Sequence, residues 1–166
     1  MKIAILHLSD MHIDSKNYQW LTKKTEQIVS AVWNDFSECG KIIIVVSGDI
    51  VYSGKKEQYD YAKNFFKSLL RAFAEKNLGD TELENKIICV PGNHDCDFAV
   101  NDNARKMLLA SIRSNVGMVD NSVYDVISAV QNNFKEFVKD IMIDKEFRLS
   151  INNNVIVNAK DKTILF

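Results

Sequence analysis

The chain has little that would build a disulfide scaffold, a membrane anchor or a polyanion-binding surface. Its three cysteines, Cys39, Cys89 and Cys96, are odd in number and lack metal-type spacing, so no disulfide framework is expected and reduced thiols are the default. No stretch approaches the roughly 18 apolar residues of a membrane span. The apolar opening Ile3 to Leu8 is broken by His7 and followed at once by Ser9-Asp10, too short for the core of a secretory signal. The expectation is a cytoplasmic protein without a membrane partner. Charge of one sign is also missing: 21 basic against 22 acidic residues give a formal net charge of −1, with no basic stripe of the kind that contacts a nucleic-acid backbone. Charge therefore does not indicate a nucleic-acid partner, although a nuclease is not excluded, because metal ions can hold a phosphate without help from the global charge. Proline occurs once, at Pro91, and there is no internal repeat, low-complexity tract or linker. With 46% hydrophobic and 26% charged residues over 166 positions, the chain reads as one soluble domain, 1–166. Histidine is scarce and one-sided: only His7, His12 and His94 occur, so nothing beyond position 94 can supply an imidazole.

Against this background stand three apolar runs, Ile3 to Leu8, Ile42 to Val46 and Ile87 to Val90, short and β-branched-rich, as in parallel strands covered on both faces. Each leads into a polar loop: Asp10-Met11-His12, Gly48-Asp49, and Gly92-Asn93-His94-Asp95. Between the first two runs, Leu21, Ile28, Val29, Val32, Trp33 and Phe36 form one helical stripe closed by Gly40; between the second and third, Tyr59, Ala62, Phe66, Leu69, Leu70 and Phe73 form another, followed by a polar link from Asn77 to Asn85. The order is β-α-β-α-β. Right-handed crossovers then place the strands in one parallel sheet with the three loops on one edge, the edge where ligands gather in open α/β sheets. Further on, residues 101–115 read as a helix on Ala104, Met107, Leu108 and Ile112. Residues 122–142 read as a longer one on Val123, Val126, Ile127, Val130, Phe134, Phe137, Val138 and Ile141, and both stripes are expected to face the core. The tail, 147–166, reads as a β-meander.

The three loops, in this order, resemble the first three sequence blocks of the calcineurin-like metallophosphoesterase superfamily, D-x-H, G-D and G-N-H-D or G-N-H-E. The resemblance covers about residues 1–97. It implies a metallophosphoesterase-like α/β sandwich, here its first β-α-β-α-β half with a helical insertion and short C-terminal strands. It also implies a dinuclear site for Mn²⁺, Fe or Zn²⁺, to which mixed oxygen and nitrogen ligands are suited. Asp49 would bridge the ions, Asp10 and His12 would join it on the first, and Asn93 would join it on the second. His94 would face the phosphate as proton donor or charge stabiliser, with Asp95 orienting its ring. Gly48 and Gly92 would let the backbone approach the ions without a Cβ. The family's later histidine blocks have no counterpart here. The chain is thus expected to be part of a longer protein or to hold an incomplete site, one ion bound well and a second weakly.

Plainer readings stand beside these. Asp10 and Asp49 could cap the helices that follow, Asn93 and Asp95 could be turn formers, His7 a core or near-core histidine, Ser53 a helix cap and Cys96 a small loop residue. The leading functional expectation is a metal-dependent phosphoesterase acting on a phosphomonoester or phosphodiester. The rival is a non-catalytic metallophosphoesterase-like scaffold or interaction domain, joined to further domains of a longer parent protein.

Overall fold

The structure, a computed structural model, describes residues 2–77, 84–100, 102–114 and 119–141. The expected link after Asn77 falls largely, and the expected tail meander wholly, outside these residues. The first half runs β1 (Ile3–Leu8), α1 (Tyr18–Lys23), α2 (Thr25–Phe36), β2 (Lys41–Ser47), α3 (Lys56–Lys76) and β3 (Glu84–Val90). The three strands form one parallel sheet in the order β1-β2-β3, in a register that sets Leu6 beside Ile44 and Ile44 beside Ile87.

The sheet is covered on one face only among the described residues, which corrects the expectation of two. Ala4, Leu6, Ile42, Ile44, Val46, Ile87 and Cys89 point inward and are buried. The alternate positions point the other way: Ile5 is 61% exposed and Ile3 and Val90 about half exposed. His7 shares that outward face and bonds Ser47 Oγ through Nε2 at 2.7 Å, so it is not a core histidine. Strand alternation decides this, since a residue two positions from Ile5 must lie on its side of the pleat.

Helix α3 is the centre of the core. Its buried residues, Tyr59, Ala62, Phe65, Phe66, Leu69, Ala72 and Phe73, recur at three- and one-residue steps, the stripe of a 3.6-residue period. Full burial of each large side chain contributes about 1.5–3 kcal/mol. The predicted helix before β2 is instead two. The Lys24 amide bonds back to the Leu21 carbonyl, a three-residue step that tightens the turn, and Thr25 Oγ1 donates to the Thr22 carbonyl at 2.9 Å.

After β3 come a 3₁₀ turn (Phe98–Val100), α4 (Asn103–Ser114), α5 (Asn121–Ile127), a second 3₁₀ turn (Ala129–Gln131) and α6 (Asn132–Ile141). The long helix expected over 122–142 is therefore interrupted at Ser128. Helix α6 keeps the expected inward residues Phe134, Phe137, Val138 and Ile141 and packs on α3, with the Phe137 ring 5.0 Å from Tyr59 and 6.0 Å from Phe66. The α4 stripe is corrected. Ile112 turns inward as expected, but Met107 is 71% exposed and Ala104 is exposed, and Arg105 turns inward in their place. Arg105 Nε donates to the Ile127 carbonyl at 2.8 Å, so α4 meets α5 through a buried guanidinium as well as apolar contact.

Candidate metal centre

Pairing between the first two strands continues beyond their ends and aligns the motif loops. The Asp10 amide donates to the Gly48 carbonyl at 3.3 Å, His12 to Asp49 at 3.0 Å and Ile13 to Ile50 at 2.9 Å. To run side by side here the backbone takes an uncommon path: Asp10, His12 and Asp49 have φ of 54°, 45° and 52°, and they are the non-glycine residues in this region among those described. Such conformations cost of order 1–3 kcal/mol each and gather at functional sites. Neither aspartate caps a helix, because the N-cap positions of α1 and α3 are Asn17 and Lys55. The capping reading of Asp10 and Asp49 is thereby removed.

His12, Asp49 and His94 present ligand-type atoms that all lie within 4.8 Å of one another. His12 Nδ1 is buried without a hydrogen-bond partner, and an orphaned ring nitrogen of that kind calls for an explanation such as an ion. Gly92 lies close behind the cluster: a Cβ built on it would overlap the Asp49 carboxylate and sit 2.5 Å from the Asp49 nitrogen. These residues fit a divalent cation. The carboxylate of Asp10 stands outside the cluster, hydrogen-bonded to Ser9 Oγ. Asn93 is exposed at the same rim, and the third loop also closes a turn through the Asp95 and Cys96 amides, so the turn-forming reading of this loop holds. The expected roles divided His94 from the ligands; the geometry brings its ring as close as theirs.

The third loop grips the second. The His94 amide donates to Asp49 Oδ1 at 2.9 Å, which fixes that carboxylate. Asp95 is wholly buried and accepts from the amides of Ile50 (3.2 Å), Val51 (3.1 Å) and Gly92 (2.9 Å) and from the Tyr59 hydroxyl (3.2 Å). Burial pushes its pKa above the ordinary carboxylate value, against the opposing pull of those donors. Burial, followed by the Asp95 charge, raises the Tyr59 phenol. Asp95 therefore does not take up the orienting role expected toward His94, since its oxygens are turned to the backbone behind the site. That role falls to the Tyr52 carbonyl, 2.6 Å from His94 Nδ1.

Sequence reasoning missed other positioning groups. Asn17 Nδ2 donates to the His12 carbonyl at 3.0 Å, and Asp14 Oδ1 takes the Lys16 and Asn17 amides; the Asp-x-x-Asn spacing of an Asx turn was the available signal. Ser53 is not the α3 cap. Its amide and hydroxyl both donate to Gln58 Oε1, at 2.9 and 3.2 Å. Cys96 is buried beside the loop, and burial raises its thiol pKa. No helix among the described residues is long and apolar enough to cross a membrane.

Comparison with known proteins agrees with this geometry. The uncharacterized metallophosphoesterase-like protein YydB of Bacillus subtilis (strain 168) is 24% identical over 148 residues, which make up 86% of this chain and 28% of YydB; the chain thus spans less than a third of that relative's length. No solved structure matches significantly. The family model for calcineurin-like phosphoesterases matches residues 3–159, a span that takes in all three motif loops, and on that match the chain belongs to the calcineurin-like phosphoesterase family.

Proposed function

We propose that this chain carries the first half of the active site of a metal-dependent phosphoesterase. The observation that carries the reading is the orphaned His12 Nδ1 in a cluster with Asp49 and His94. His12 and Asp49, with Asp10 and Asn93 at the same rim, would hold divalent metal, Mn²⁺, Fe or Zn²⁺ by the donor set. A cation there supplies Lewis acidity, drawing charge from a phosphoryl oxygen and lowering the pKa of a water.

The remaining work belongs to side chains of this chain. Because His94 Nδ1 donates to the Tyr52 carbonyl, the neutral ring carries its lone pair on Nε2. Protonated there, the ring has a proton to give to the departing oxygen of the ester. The amide of His94 keeps Asp49 in place while the ring acts. With a formal net charge of −1 and no basic stripe in the sequence, a small phosphoester suits this site better than long nucleic acid.

One observation favours a second assignment for His94, as a ligand, namely its ring atom within 4.8 Å of those of His12 and Asp49. Calorimetric titration of Mn²⁺ separates the two. A proton donor predicts that His94→Ala keeps metal affinity within about 3-fold while hydrolysis falls by roughly 10²–10⁴. Loss of binding as large as in His12→Ala would make it a ligand.

A further inference from the structure

A cavity of about 290 Å³ opens directly beside the motif rim, and the site described so far makes no use of it. Gly92, Asn93 and Cys96 form its near wall, and the helical segment after β3 forms the rest. The side chains there are of two kinds. Phe98, Tyr124 and Ile127 offer flat or aliphatic surface, while Arg105 and Gln131 place polar groups among them. The far wall is tied to the loop: the Asp97 amide donates to the Val130 carbonyl at 2.7 Å, and Asn133 Nδ2 to the Gly54 carbonyl at 2.9 Å. Arg105, 9% exposed, has the plane of its guanidinium set by the bond from Nε to the Ile127 carbonyl.

We propose that this cavity is a leaving-group pocket that takes a flat aromatic or heteroaromatic ring on the alcohol side of a small phosphoester. This rests on the phosphoesterase reading, which places the phosphoryl group at His12, Asp49 and His94. Three features carry it. The pocket shares Asn93 with the proposed metal ligands, so a group attached to a phosphorus bound there reaches it through one ester linkage. Its volume lies at the small end of ligand pockets, roughly 300–1,000 Å³, and about twice a cavity that holds benzene, roughly 150 Å³, which fits one ring system and not a polymer. Its lining combines the aromatic side chains of Phe98 and Tyr124 with a fixed guanidinium, groups that stack on a ring or meet its π face, and Lys135 Nζ lies 5.1 Å from the Tyr124 ring centroid. Phe98, which lines the cavity and is 56% exposed, is an apolar side chain open to solvent that a bound ring would cover.

The test uses two non-hydrolysable probes, phenylphosphonate and methylphosphonate, titrated calorimetrically into the Zn²⁺-loaded full-length protein. Phenylphosphonate should bind at least 10-fold more tightly than methylphosphonate. Phe98→Ala, exposed and so safe for folding, and Tyr124→Ala should each remove roughly 2- to 10-fold of that advantage and leave methylphosphonate affinity unchanged. Equal affinities for the two probes, no binding of phenylphosphonate, or an advantage that survives both substitutions would overturn the pocket. The parent reading is separated by turnover. Hydrolysis of phosphoesters with no preference for the phenyl probe sinks the pocket alone, whereas a Tyr124-dependent phenyl preference without hydrolysis of any ester leaves a ring-binding cavity but overturns its leaving-group role together with the phosphoesterase assignment.

Discussion

Replacing Asp95 by asparagine should destabilise the fold and slacken the motif loops without acting through the His94 ring. Asp95 is wholly buried and faces four donors: two on Oδ2, from Ile50 and Gly92, and two on Oδ1, from Val51 and the Tyr59 hydroxyl. An asparagine keeps one carbonyl oxygen and so can satisfy one pair; its NH₂ group confronts the other. If the amide faces the Tyr59 side, that hydroxyl can rotate to accept, and one backbone N–H is left unpaired. If it faces the other side, two are. A buried unsatisfied donor costs about 1–3 kcal/mol, so in the first, less costly orientation the loss should be about 1–3 kcal/mol. For a domain of this size that is a fall in Tm of roughly 2–12 °C. Tyr59→Phe, which removes one donor and leaves the carboxylate three, should cost only about 0.5–1.5 kcal/mol. Thermal and urea unfolding of the two variants measure both numbers, and the NMR resonances of the His94 ring supply the control. An Asp95→Asn protein of unchanged Tm whose His94 ring resonances move would refute the reasoning and restore Asp95 as the partner of His94.

Asp49→Asn keeps the shape but removes a negative charge from the proposed bridging position, so the protein should stay folded by circular dichroism while Mn²⁺ affinity falls at least about 10-fold, the lower end of what even outer-sphere changes cost. Gly92→Ala should displace Asp49, because the new Cβ overlaps its carboxylate; a loss of about 1–3 kcal/mol in urea unfolding, together with weakened metal binding, is the expected result. Asp120 caps α5 by accepting from the Val123 amide at 2.9 Å, and that bond, followed by the one from Ser122, holds its carboxyl below the usual range. The cap's contribution is therefore present above the ordinary aspartate pKa of about 3.9 and lost as pH falls through the lower folded value, which a titration of the Val123 amide resonance should follow and Asp120→Ala should abolish.

What could be read in the sequence was what local pattern determines. The β-branched runs and the 3.6-residue stripe of α3 announce their elements, and strands leading into loops with Asp10, Asp49 and Asn93 announce a common rim. The sheet face left open among the described residues could not be read, because Ile3, Ile5 and Val90 are as apolar as buried residues and nothing local says whether another layer lies over them. The break between α1 and α2 depends on where the Lys24 amide finds its acceptor, a choice of one carbonyl over the next. Met107 looked like core from its neighbours, but α4 presents Arg105 to the fold beside the expected Ile112, a matter of how the helix rotates on α5. Asp95 was the most instructive case. Beside a histidine it reads as that ring's partner, and only the folded loops bring three backbone amides and Tyr59 to its oxygens.

The proposed phosphoesterase activity is tested most directly by the Mn²⁺-dependent turnover of bis(p-nitrophenyl) phosphate, measured on the full reading frame and on residues 1–166. Hydrolysis by the full-length protein, lost on chelation, lost in Asp49→Asn, and reduced by roughly 10²–10⁴ in His94→Ala with metal still bound, is the predicted result, with little turnover by residues 1–166, which have no histidine after His94. Absence of hydrolysis in a metal-loaded full-length protein would contradict the account and support a scaffold built on the same rim.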